Sequence, residues 1–167
     1  MSNFHQAYLS LGSNIQPENN LVKAIKLLQN HGRLEKISSV WESESVGAEG
    51  PNYLNACVLL VTLLSQGELK EQALLPIEAE LGRQRTADKF APRTIDIDIV
   101  LFDSKSCDDK YWEQAFVVVP LAEISPEYQN PLRHESIMET ATRLRQQVWM
   151  ETRPQVLNQF NKGSSTH

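Results

Sequence analysis

The chain is poor in the residues that mark several large function classes. Only two cysteines occur in 167 residues, Cys57 and Cys107, and they form no CxxC pair. A disulfide scaffold and a thiolate zinc site are therefore excluded, and a reducing, cytoplasmic setting is expected. The four histidines (His5, His31, His134, His167) are scattered, so no zinc pattern forms. Basic residues are outnumbered, 16 against 21 acidic ones, for a net charge of −5, which argues against a general nucleic-acid binder and makes any anion site local. No apolar run approaches the ~20 residues of a membrane span, so no membrane partner is expected. The opening MSNFHQAYLSLGSN lacks a basic stretch followed by an apolar one, and no signal peptide is expected. GxxxxGK[ST], the protein-kinase motif set, GxSxG and the RNP1 pattern are all missing, against P-loop enzymes, protein kinases, serine hydrolases and RNA-recognition modules.

What is present is an ordinary globular composition, 41% hydrophobic and 22% charged, long enough to bury a core without staples. No linker or repeat divides it. A single domain over residues 1–160 is expected, with NKGSSTH (161–167) as a disordered tail. Ala7 to Leu11 reads as a strand ending in a Gly12-Ser13-Asn14 turn, and Pro17 opens a helix with Leu21, Ala24, Ile25 and Leu28 on one face. Leu34 to Ser45 and Tyr53 to Leu63 read as strands. Ser65-x-x-Glu68 is a capping box for a helix reaching about Gly82, with Pro76 expected to kink or break it. A polar, basic loop precedes a strand ending at Phe102, and after Pro120 the pattern is mainly helical. The order is β-α-β-β-α-β. The predicted fold is α+β: a ferredoxin-like βαββαβ antiparallel sheet with helices on one face and a helical C-terminal extension, the other sheet face being free to bind a ligand.

The chemistry concentrates in FAPRTIDIDIVLF (90–102). Asp96 and Asp98 are two apart on an apolar strand, so both carboxylates leave one face roughly 7 Å apart at Cα, while Ile95, Ile97 and Ile99 point into the helices. Like charges side by side are costly unless a cation or water meets them. Arg83, Arg85, Lys89 and Arg93 fall just upstream. They fit either a solvated ion-pair loop or a polyphosphate brought in with Mg²⁺, whose hard oxygen ligands the aspartates supply. In PNYLNA (51–56), Tyr53 and Asn55 share a strand face: a ring and a carboxamide suit a flat heterocycle, although either residue is equally at home in a structural role.

LGSN after the first strand, PNYLNA, GRxR, PRTIDIDIVLF and PLAEISPE (120–127), in this order, resemble the 6-hydroxymethyl-7,8-dihydropterin pyrophosphokinase family of folate biosynthesis. The resemblance implies transfer of the pyrophosphoryl group of ATP to the pterin hydroxymethyl, giving AMP, and a monomer acting on small molecules is expected. It implies two Mg²⁺ ions on Asp96 and Asp98, and Arg83 and Arg93 as catalytic arginines. Nucleotide contacts are implied for Glu78, Arg85, Lys89, Phe90, Arg93 and Ile99. Pterin contacts are implied for Ser43, Val46, Tyr53, Asn55 and Phe116. Lys89 stands where an arginine is common and Phe90 where a tryptophan is common. The segment DSKSCDDKYWEQAF (103–116) is shorter than the family's, lacks its histidine and has Gln114 at the place of a later arginine. Leu75-Pro76 replaces a glutamine. These departures leave a catalytically weakened paralogue that binds pterin or nucleotide as the alternative.

Overall fold

The structure, a computed structural model, describes residues 3–45, 50–82 and 94–158. β1 (His5–Ser13) is the middle strand, antiparallel to β4 (Tyr53–Thr62) on one side and to β5 (Asp96–Phe102) on the other. β2 (Arg33–Ile37) and β3 (Trp41–Ser43) both pair with β4, and β7 (Met150–Thr152) pairs with β3. The short β6 (Lys105–Ser106) pairs with the end of β5 across a turn in which Asp103 and Ser104 are left-handed (φ 50° and 69°). The antiparallel sheet and its helices are as the sequence predicts.

Local chemistry explains where the elements depart from the sequence pattern. The strand expected over residues 34–45 is two strands. At the break, Ser38 donates its N–H to the Cys57 carbonyl while its Oγ accepts the Cys57 N–H at 2.8 Å. The hydroxyl thus takes a place that a backbone carbonyl holds in a regular ladder, and the main chain turns aside. β1 runs through Gly12 and Ser13 rather than turning there, because Gly12 is paired on both sides, with Asn55 and Asp96. Ser13 Oγ donates to the Thr94 carbonyl at 2.5 Å, tying the end of β1 to the approach of β5.

Helix α1 (Pro17–Leu28) starts at its proline and buries Leu21, Ala24, Ile25 and Leu28, as its spacing predicts. Ser65 and Glu68 form the reciprocal capping box that opens α2 (Gln66–Leu69). Pro76 neither breaks nor ends the helical run. A π-turn, Lys70–Leu74, in which Leu75 N–H reaches the Lys70 carbonyl, leads directly into α3 (Leu75–Glu80), with Pro76 in its first turn. The wider turn accommodates a ring that would crowd the carbonyl four residues back. Gly82, at φ +89°, lies just past the end of this helix.

These helices cover one sheet face with a core that includes Leu9, Leu11, Leu60, Ile95, Ile97 and Ile99. The second face is only partly free, contrary to the sequence expectation. Helix α4 (Ala115–Ile124), which begins five residues before Pro120, and α5 (Ile137–Arg145) pack there in a second core with Trp41, Cys57, Val100, Leu101 and Trp112. Each fully buried leucine or isoleucine contributes about 1.5–3 kcal/mol, so that side of the sheet is held by apolar burial and not left as a platform. A β-bulge makes both cores possible: Tyr8 pairs with Leu101 and Leu9 with Ile99, leaving Val100 extra. Val100 and Leu101 therefore both serve the second core, while Ile95, Ile97 and Ile99 serve the first.

Candidate active site

The uncovered end of the second face is where the candidate residues among the described ones meet. In register across the sheet, Asp96 on β5 pairs with Gly12 on β1, Gly12 with Asn55 on β4, and Asn55 with Trp41 on β3. Asp98 stands opposite Ser10, and Tyr53 opposite Ser43. By the period-two rule Asp96, Asp98, Tyr53, Asn55 and Ser43 all leave one face, with roughly 10 Å at Cα between Asp96 and Asn55. Sequence spacing predicts each pair separately. The pairing register joins them.

Asp96 and Asp98, both half-buried, line an open groove of about 840 Å³. One wall comes from α2, the π-turn and α3, including Leu74, Leu75 and Glu78. The other comes from the segment 107–116, including Lys110, Tyr111, Gln114 and Phe116. Glu78 is buried, and its Oε2 accepts the Ile97 N–H at 2.8 Å, between the two aspartates. Among the described residues β5 has no strand beyond that N–H, since β6 reaches only Leu101 and Phe102. The carboxylate thus satisfies a sheet-edge donor. Ile99 lines the groove while belonging to the first core. The Tyr111 phenol is pushed up, first by burial and then by Asp98 and Asp108.

On the other side of Gly12, Asn55 is 3% exposed, and its Nδ2 donates to Ser43 Oγ at 2.8 Å and to the Trp41 carbonyl at 3.2 Å. Both amide hydrogens are used by β3, which leaves Oδ1 as the acceptor. A Cβ on Gly12 would stand 3.3 Å from that Oδ1 and 3.8 Å from Tyr53 Cδ1. β3 is itself held from outside the site: Glu123 on α4 accepts from Trp41 Nε1 at 2.5 Å and from Ser39 Oγ at 2.9 Å.

The donor set at the aspartates is hard oxygen. Among the described residues no group of three or more His, Cys, Asp or Glu side chains could hold an ion. Two carboxylates with the remaining ligands left to water and phosphate fit Mg²⁺ delivered with a nucleotide, and do not fit a closed protein cage. Phe116 lines the groove on the aspartate side, as does Gln114. Val46, Arg83, Arg85, Lys89, Phe90, Arg93 and the tail 161–167 lie outside the described residues. Sequence reasoning missed Gly12 as a site residue, because its role is set by partners far along the chain, and it missed Tyr111 and Lys110, which carry no motif.

Known proteins show the family and the fold. The family model 7,8-dihydro-6-hydroxymethylpterin-pyrophosphokinase (HPPK) matches residues 8–126. A Bacillus subtilis 2-amino-4-hydroxy-6-hydroxymethyldihydropteridine pyrophosphokinase is 39% identical over 130 residues, covering 71% of this chain and 77% of that protein. The Synechocystis protein of the same name is 36% identical over 146 residues, covering 81% and 74%. In structure, Plasmodium falciparum HPPK-DHPS with pterin and p-hydroxybenzoate matches with TM-score 0.64 at 12% identity, a likeness of fold alone; 88% of this chain is covered, but only 45% of that longer one. No helix among the described residues is long and apolar enough to cross a membrane. With a family model matching most of its length and relatives above 30% identity over most of theirs, the chain belongs to the 7,8-dihydro-6-hydroxymethylpterin-pyrophosphokinase family.

Proposed function

We propose that this groove transfers the β,γ-pyrophosphoryl group of ATP to the hydroxymethyl oxygen of 6-hydroxymethyl-7,8-dihydropterin. The hydroxymethyl oxygen bonds to the β-phosphorus, the bond from that phosphorus to the α-phosphate oxygen breaks, AMP leaves, and the hydroxyl proton passes to solvent. The observation that carries this reading is the single register row Asp96–Gly12–Asn55, with the carboxylates at one end and the heterocycle-suited pair at the other.

Asp96 and Asp98 would hold Mg²⁺, two ions with ATP bound, and the ions would supply charge neutralisation on the polyphosphate. Arg83 and Arg93 steady the phosphoryl oxygens in transfer, and Arg85, Lys89, Phe90, Ile99 and Glu78 belong to the nucleotide side. Tyr53 and Phe116 stack the pterin. Asn55 accepts from its N–H edge through Oδ1, with Ser43 and Val46 beside it. Positioning does most of the work, so no separate general base is required. A single domain over residues 1–160 carries the activity as a cytoplasmic monomer.

The test is the purified chain with ATP, Mg²⁺ and hydroxymethyldihydropterin, with AMP and pterin diphosphate both measured. Equal amounts of the two products are expected, together with at least about 10²-fold less in Asp98→Asn at unchanged circular dichroism. Pterin or nucleotide binding without AMP formation overturns the enzyme reading in favour of a binding protein.

A further inference from the structure

The described lining of the groove is rich in acid, with Glu71, Glu78, Asp96, Asp98 and Asp108, and only two of its described residues, Lys70 and Lys110, are cations. A triphosphate brings several negative charges into this acidic lining, which cations must offset. The wall formed by residues 107–116 contains neither arginine nor histidine. Lys110 is its one cation.

The position of Lys110 is determined by its neighbours. Asp108 caps the 3₁₀ turn Asp109–Glu113, its side chain accepting the Lys110 N–H at 3.0 Å, which sets the start of that turn. The Lys110 ammonium then lies over the Tyr111 ring, 5.4 Å from its centroid. Tyr111 is 7% exposed, and its hydroxyl feels the charge of Asp98 and Asp96. The lysine therefore rests over a buried aromatic ring in the wall of the groove that Asp96 and Asp98 also line. Its ion pair with Asp108 is long, 3.9 Å, and the Lys110 side chain is 60% exposed, so this pair holds little of its charge.

We propose that Lys110 binds the triphosphate oxygens of the nucleotide, supplying positive charge from the wall in which it is the one cation. This assignment rests on the pyrophosphokinase reading above. It gives the segment 103–116 a direct part in holding the co-substrate. A lysine on an aromatic face presents a point charge, which suits a mobile polyphosphate better than a fixed bidentate geometry.

The experiment titrates the full chain with the Mg²⁺ complex of α,β-methylene-ATP, and separately with AMP, for wild type, Lys110→Gln and Lys110→Arg. Lys110→Gln is expected to bind the triphosphate analogue about tenfold more weakly, as for one lost hydrogen bond to a charged group, while AMP affinity stays as in wild type. Lys110→Arg, which keeps the charge, is expected to restore most of the loss. Added salt should narrow the gap between wild type and Lys110→Gln. If Lys110→Gln binds the analogue as wild type does, or loses AMP and analogue equally, the assignment is overturned while the pyrophosphokinase reading stands. A wild-type chain that binds no triphosphate overturns both.

Discussion

The carboxylate of Glu78 accepts the backbone N–H of Ile97, 2.8 Å away, from a helix that packs on the opposite sheet face to the one the aspartates leave. The bond pins β5 midway between Asp96 and Asp98. Glu78→Ala leaves a buried N–H without this acceptor and is expected to cost about 1–3 kcal/mol of stability. Glu78→Gln keeps an amide oxygen in place and should lose much less. Urea unfolding of the two variants decides it; an alanine variant as stable as wild type would show that the bond contributes nothing.

Gly12 separates the carboxylates from the asparagine by an empty position. Gly12→Ala puts a methyl 3.3 Å from Asn55 Oδ1, tight enough to displace the carboxamide. The backbone gains from losing glycine's freedom while the displaced, buried carboxamide costs stability, so the two effects oppose and a net change within about 1 kcal/mol is expected. The expected result is a pterin KM raised about tenfold, as for one lost hydrogen bond of about 1.4 kcal/mol, with the ATP KM unchanged. Steady-state kinetics varying each substrate in turn will show it, and equal effects on both KM values would count against a pterin-side role.

Arg93 immediately precedes Thr94, whose carbonyl is bonded to Ser13. If Arg93 grips phosphoryl oxygens through two parallel N–H bonds, lysine cannot replace it although the charge is kept. Arg93→Lys is expected to lower kcat by about 10²-fold with little change in ATP affinity. Single-turnover measurement beside equilibrium binding tests this: a chemical step at the wild-type rate reduces Arg93 to a counter-ion.

Asp103 closes the turn after β5, accepting the Gln6 N–H at 2.9 Å and facing His5 Nδ1 at 2.6 Å. The Gln6 N–H first, and His5 second, hold its carboxyl below the usual carboxylate range. A lowered pKa means stability that is present above the unfolded value and lost as pH falls through the folded one. The aspartate is well exposed, so Asp103→Asn should cost no more than about 1 kcal/mol at pH 7. That difference is expected to shrink on acidification below about pH 4, near the unfolded carboxylate value. Thermal melts of both proteins at pH 7 and pH 3 measure it. A gap that widens in acid contradicts the assignment.

The features legible in the sequence are those that depend on near neighbours in the chain. Pro17, the Ser65–Glu68 box and the alternation of Asp96 and Asp98 with isoleucine each specify their structure within a few residues. So does the α5 face of Ile137, Ala141 and Leu144, all buried. The misses depend on distant partners. The Ser38 hydroxyl interrupts a strand only because Cys57 lies beside it, and Gly12 matters only because Asn55 and Asp96 flank it. Pro76 reads as a kink because periodicity gives no sign of a π-turn. The cover of α4 over part of the second face is hidden because a run such as FVVVPL is apolar on every side and names no partner.

β1 lies at the centre of the sheet although it precedes every other described strand in the chain. During synthesis His5 waits for Thr62 and Gly12 waits for Asp96, so this strand has no hydrogen-bonded edge satisfied until much later residues leave the ribosome. Pairings of such high sequence separation are slow to nucleate. The Tyr53–Asn55 part of the site can assemble on β1, β3 and β4, whereas the carboxylate end exists only after β5 docks. A chain arrested between the two is a half-site with an exposed strand edge, a template for pairing with another chain. The same placement of β1 that puts two substrates side by side therefore makes the nascent chain dependent on uninterrupted elongation.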